Sequence, residues 1–144
     1  MNIKQVKLTD VSQALFDLEI KTMTRSFDLV SRNVDELLSF LNQSVIYAGY
    51  NSEEIIGFVA IEKISDNFEL KLIVVSPEYQ SKGIGSKLLS YCLKENKEMN
   101  ISLTVHPDNA QAIIFYLRNG FKISKWKDNC YGDGQPRLVL LKRI

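Results

Sequence analysis

With 144 residues the chain has the length of a single domain, 1–144, able to bury roughly two-thirds of its unfolded surface without metal or disulfide support. Eighteen Lys and Arg against seventeen Asp and Glu leave a formal net charge of +1, so no overall field favours nucleic acid or a membrane as partner. No run approaches the roughly eighteen apolar residues of a spanning helix, and MNIKQVKLTD lacks the apolar stretch of a signal peptide, which sets the expectation of a cytoplasmic protein.

Asn2 to Leu8 alternates Ile3, Val6 and Leu8 loosely with polar positions and predicts a short first strand, after which Thr9-Asp10 offers a helix cap. Val11, Ala14, Leu15, Leu18 and Met23 carry a helical period over Val11 to Thr24, with Asp10 or Ser12 as equal candidates for the cap. A second helix over Val34 to Asn42 follows from Leu37, Leu38 and Leu41, capped by Asn33. The residues between, Arg25 to Arg32, carry no assignable pattern.

Ser44 to Tyr50 and Ile55 to Ile64 are branched, apolar runs around the turn Asn51 to Glu54, which reads as a hairpin. Ser65-Asp66-Asn67 then turns the chain into a third antiparallel strand, Phe68 to Val75, which closes at Ser76-Pro77 because proline cannot donate to a ladder. A helix over Ile84 to Lys97 follows from Ile84, Leu88 and Cys92 with Leu89 and Leu93, and a short strand over Ile101 to Val105 comes next. The only histidine, His106, stands beside Pro107 and is expected in an exposed loop. Ala110 to Asn119 is the last helix, closed by Gly120 in the left-handed conformation, and Phe121 to Trp126 and Arg137 to Lys142 pair around the loop Asp128 to Pro136. Cys92 lies on an apolar helical stripe and is expected to be a buried thiol. Cys130 sits in a polar turn, and neither cysteine has the spacing of a metal or disulfide site, so no metal is expected.

The stretch Leu72 to Leu89, LIVVSPEYQSKGIGSKLL, joins the third hairpin strand to the following helix and says most about binding. Gly83 and Gly85 at the mouth of that helix permit torsions and close approach that side chains block, leaving first-turn N–H groups free for an anion such as a phosphate. A dinucleotide fingerprint needs a third glycine where Leu88 stands, and no Gly-x4-Gly-Lys-Ser/Thr run is present. What remains, Gln80-x-x-Gly83-x-Gly85 after a strand ending near a proline, resembles the acyl-CoA signature of the GNAT superfamily of N-acetyltransferases. Downstream, Asn109 opening a helix that runs through Tyr116 to Gly120-Phe121 is similar to that family's second motif, in the family's order and separation.

The resemblance covers nearly the whole chain and implies a mixed α/β fold, a mostly antiparallel sheet of about seven strands with flanking helices, splayed where acyl-CoA enters. It implies acetyl-CoA as cofactor and CoA as product, with backbone groups of Ile73, Val74 and Val75 meeting the pantetheine arm. Main-chain donors of Ser81, Lys82, Gly83, Ile84, Gly85 and Ser86 would wrap the pyrophosphate, Lys82 or Lys87 would add charge, and Asn109 would bond the cofactor arm. Tyr116 matches the family's general acid, Glu69 its strand-borne base, and Phe27 with its neighbours the acceptor wall. The loop Asp128 to Gly134 is similar to the aromatic loop of peptide N-terminal acetyltransferases, yet Thr104 stands where those enzymes carry a glutamate base. The expected function is therefore acetyl transfer to a primary amine of a small or amino-acid-like molecule by direct attack, in a monomer or homodimer. A peptide α-amine acceptor is the second reading, and an acyl-CoA binding or sensing module without turnover is the third.

Overall fold

The structure, a computed structural model, describes residues 1–97 and 99–143. In chain order the elements are β1 (Asn2–Val6), α1 (Leu8–Thr22), α2 (Val34–Phe40), β2 (Ser44–Asn51), β3 (Glu54–Ile64), β4 (Asn67–Val75), α3 (Ile84–Glu95), β5 (Ile101–Val105), α4 (Ala110–Arg118), β6 (Lys122–Lys127) and β7 (Arg137–Lys142). All seven strands form one open sheet in the order β1-β2-β3-β4-β5-β7-β6. Neighbours are antiparallel except β4 and β5, whose connection through α3 makes them parallel.

The period-two alternation of β3 distributes its side chains to two cores. Phe58 and Ala60 pack with Leu15, Leu18, Leu37 and Leu41 under α1 and α2. Val59 and Ile61 pack with Leu88, Leu89, Cys92, Tyr116 and Phe121 under α3 and α4. Each helix presents one apolar stripe to the sheet, and sheet burial on both faces is what places two helices on each side.

Helix α1 lies earlier in the chain than the expected Val11 to Thr24. The helix begins at Leu8, three residues before the expected start, and Lys7 occupies the N-cap without any side-chain bond. Leu8 joins Val11 against the α1–α2 core, so the helical stripe extends one turn back and removes Leu8 from the first strand. Thr9 and Asp10 lie inside the first turn, where the Asp10 carboxylate complements the helix dipole. The α2 cap is as expected, with Asn33 accepting from Glu36 N at 2.8 Å. Helix α3 ends at Glu95 instead of Lys97 because the Asn96 amide turns back, donating to Cys92 O at 2.8 Å and Tyr47 Oη at 3.1 Å. Gly120 does take a left-handed φ of +92°, and Phe121 N closes on Tyr116 O at 3.0 Å behind it.

Candidate active site

β4 and β5 pair only at Phe68–Ile101 and Glu69–Ser102. Past Glu69, β4 continues alongside β3 as far as Val75–Gly57, while β5 follows β7 as far as Val105–Leu138. The two strands therefore part like a V, and the β5-facing backbone of Ile73, Val74 and Val75 has no strand partner. A bulge in β4, where Leu70 and Leu72 face consecutive residues Ile61 and Ala60, leaves Lys71 without a partner in the β3 register just past Glu69. The V opens into a cleft of about 830 Å³, walled by Ile73 to Val75 on one side and Leu103 to Val105 on the other.

The glycine-bearing turn stands at the mouth of this V. Gln80 donates its amide to Val75 O at 3.0 Å, pinning the turn to the end of β4. Ser81 at φ 63° and Gly83 at φ 79° then reverse the chain into α3, whose N-terminus has no side-chain cap. The bond from Lys87 N to Gly83 O, 3.1 Å, closes the first helical turn, so the amides of Ile84, Gly85 and Ser86 precede any intrahelical acceptor. The two glycines serve different needs. A Cβ on Gly83 would meet open space and fail only on its backbone torsion, whereas one on Gly85 would lie 3.3 Å from the Phe115 ring. Lys82 reaches back over the Tyr79 ring at 5.5 Å, and Lys87 lies one turn into α3. An uncapped helix start with cationic side chains beside it fits a diphosphate.

Tyr116 comes off α4 into the cleft wall, its ring held edge-on by Phe115 at 5.2 Å and Phe121 at 5.5 Å. Its hydroxyl makes no hydrogen bond among the described residues, and burial pushes the phenol well above the usual tyrosine range. Glu69 lies at the closed end of the V, half-buried between Glu62 on β3 and Ser102 on β5. Thr104 is hydrogen-bonded to the Tyr131 hydroxyl, so the β6–β7 loop leans over the same end. Arg137, 3% exposed, holds that loop by donating to Asp133 at 3.0 Å and by lying 5.1 Å over the Tyr131 ring.

His106 contradicts its expected exposure. It is 7% exposed, stacked on Phe27 at 5.2 Å, with Nδ1 accepting from Asp108 N at 3.0 Å. That bond leaves Nε2 as the protonated nitrogen, donating to Gln135 at 3.1 Å. Three segments distant in sequence thus meet on one imidazole, which sequence context at Pro107 could not reveal. Cys92 is buried as expected, with its thiol pushed up to about 12, and takes no part as a nucleophile.

The segment 25–32 is ordered from outside itself. Glu19, 1% exposed on α1, accepts from Ser31 N at 2.6 Å and Ser31 Oγ at 3.5 Å, and burial raises its pKa against the lowering effect of those bonds. Arg25 crosses to the start of α4, donating to Asn109 Oδ1 at 2.9 Å and Gln111 Oε1 at 2.5 Å. Since the folded pKa of Glu19 lies above its unfolded value, its contribution to stability is fullest below the ordinary carboxylate range and is lost as pH rises through the raised value. Glu19→Gln, which keeps an acceptor for Ser31 N, is expected to match or exceed the parent at pH 7 in denaturant unfolding. Glu19→Ala should cost about 1–3 kcal/mol by orphaning that amide.

Comparison with known proteins agrees with this geometry. Residues 42–123, more than half of the chain, match the family model described as an acetyltransferase (GNAT) domain. The chain is 34% identical over 86 residues to a spermidine N(1)-acetyltransferase of Thermoplasma acidophilum, a match taking in 57% of this chain and 53% of that protein. It is 29% identical over 90 residues to the [ribosomal protein bS18]-alanine N-acetyltransferase of Escherichia coli K12, covering 59% of this chain and 61% of the relative. These matches span little more than half the length of either relative. In fold, the ribosomal-protein-S18-alanine N-acetyltransferase from Escherichia coli superposes with a TM-score of 0.83 at 23% identity over 99% of this chain and 93% of that one. A PaiA N-acetyltransferase from Thermoplasma acidophilum, solved in complex with coenzyme A, superposes with a TM-score of 0.77 at 22% identity over 100% of both chains. With the family model lying across the parted strands, the glycine turn and α4 together, the chain belongs to the GNAT acetyltransferase family.

Proposed function

We propose that this chain transfers an acetyl group from acetyl-CoA to a primary amine of a small acceptor. The observation that carries the reading is the parting of β4 from β5 directly beside the uncapped start of α3. The backbone groups of Ile73, Val74 and Val75 that β3 and the Gln80 amide leave free would meet a pantetheine arm, and the amides from Ser81 to Ser86 would offer donors to a diphosphate. Asn109 and the Tyr116 hydroxyl complete the wall along which that arm would run.

Acetyl-CoA supplies an activated acyl carbon and a thiol leaving group. Glu69 would take a proton from the acceptor ammonium, directly or through water, so that the neutral amine can form the new C–N bond. An N–H of the freed β4 backbone would face the carbonyl oxygen as charge develops on it. Tyr116 would give its proton to the sulfur as the C–S bond breaks, and the proton that the new amide nitrogen sheds would restore the phenol through water. Burial raises the phenol's pKa and so keeps the proton on Tyr116 until a developing thiolate takes it, and lower solvation in the cleft would raise the basicity of that thiolate in the same direction.

A small amine is favoured by the spermidine-acetylating relative and by Thr104 in the place where a carboxylate base would serve a peptide α-amine. A peptide acceptor is the second reading, favoured by Tyr131, which is 50% exposed over the closed end of the cleft, where a backbone could lie against it. Calorimetric titration with CoA and acetyl-CoA, followed by thiol release with polyamines, amino acids, aminoglycosides and short peptides, tests the reading. Uptake and release with an amine supports it, uptake without release with any acceptor points to a binding module, and no uptake ends it.

A further inference from the structure

We propose that Arg25 is a positioning residue for the cofactor, fixing the orientation of the Asn109 amide so that its Nδ2 is presented to the cleft as a donor. The oxygen and nitrogen of an asparagine amide are told apart by their partners. Here both partners can only donate: Arg25 Nη1 at 2.9 Å and Ala112 N at 3.2 Å converge on one atom, which must be Oδ1. Both lone pairs of Oδ1 are thereby occupied. Nδ2 has no partner among the described residues, and Asn109 lines the cleft.

The Ala112 bond alone would leave the amide on a single contact at the helix cap, free to swing and offer Oδ1 to the cleft instead. Arg25 removes that alternative. It is itself held from three sides: its backbone N donates to Asp28 at 2.9 Å, its second guanidinium nitrogen bonds Gln111 at 2.5 Å, and its guanidinium lies 5.8 Å from the Phe27 ring. A charged donor on Oδ1 also polarises the amide and strengthens Nδ2–H toward an acceptor, of which the carbonyls of a pantetheine arm are the fitting kind.

This inference rests on the proposed binding of CoA, and calorimetry with CoA separates the two. Arg25→Met is expected to raise the dissociation constant about fivefold, and Arg25→Lys, which retains one donor, to recover part of the loss. Asn109→Ser keeps a good helix cap and discards the amide, so in that background Arg25→Met should change nothing further. Thermal unfolding of each variant checks that the exposed arginine is not acting through stability. If Arg25→Met binds as the parent does, or weakens binding equally with Ser at 109, the positioning role is overturned and the function stands. If the unaltered chain takes up no CoA, the function falls and this inference with it.

Discussion

Tyr116→Phe is expected to lower kcat about a hundredfold while leaving the affinity for acetyl-CoA and the unfolding midpoint unchanged. The separation of these effects follows from the surroundings of the hydroxyl. The ring is fixed by Phe115 and Phe121, contacts that phenylalanine preserves, and the oxygen has no hydrogen-bond partner among the described residues. Deleting an unpartnered polar atom from a buried site costs no structural bond and leaves no orphaned partner. A hundredfold loss is about 2.7 kcal/mol of transition-state stabilisation, within the range for removal of a general acid. Because burial raises the phenol's pKa, the parent should show no fall in kcat from loss of this proton below the ordinary tyrosine range, near pH 10. Unchanged turnover in Tyr116→Phe would remove the residue from the acid role and leave it as packing between two phenylalanines.

What sequence reading recovers here, and what it misses, divides by the range of the interaction. The order of strands and helices, the Asn33 cap and the left-handed Gly120 were legible because each depends on residues within a turn or two. The glycine turn was legible for the same reason, since Gln80, Ser81 and Gly83 act on the backbone beside them. The start of α1 was misplaced because capping residues at Thr9 and Asp10 give a strong local signal, whereas the packing of half-buried Leu8 on the α1–α2 core gives none. His106 shows the same limit at the site. A histidine before Pro107 reads as loop, and its burial depends on Phe27 and Gln135, neither of which has any sequence relation to it. Segment 25–32 had no pattern to read, because Glu19 and the start of α4 impose its order. The walls around His106 and Asn109 are thus built from long-range contacts, while the turn into α3 is built from local ones.

Gly85→Val should raise the dissociation constant for CoA by about ten- to a hundredfold, with a smaller loss for Gly85→Ala. A Cβ at this position stands 3.3 and 3.4 Å from two ring carbons of Phe115 and 3.7 Å from Val75 Cγ2. Alanine can be taken in by a shift of a few tenths of an ångström, but the two methyls of valine have ring on one side and β4 on the other. Phe115 cannot swing freely, since its ring packs against Tyr116. The remaining relief is for the first turn of α3 to lift from α4 and β4, at a cost of about 1–3 kcal/mol, and that movement carries away the amides of Ile84, Gly85 and Ser86. Gly83→Ala supplies the contrast. It adds no contact and costs about 1–2 kcal/mol through its left-handed torsion alone, so its loss should appear mainly in unfolding while binding by molecules that stay folded changes less. Calorimetry and thermal unfolding on the three variants read both quantities. Should Gly85→Val bind CoA as the parent does, the amides at the head of α3 do not hold the diphosphate, and the cofactor must be placed elsewhere in the cleft.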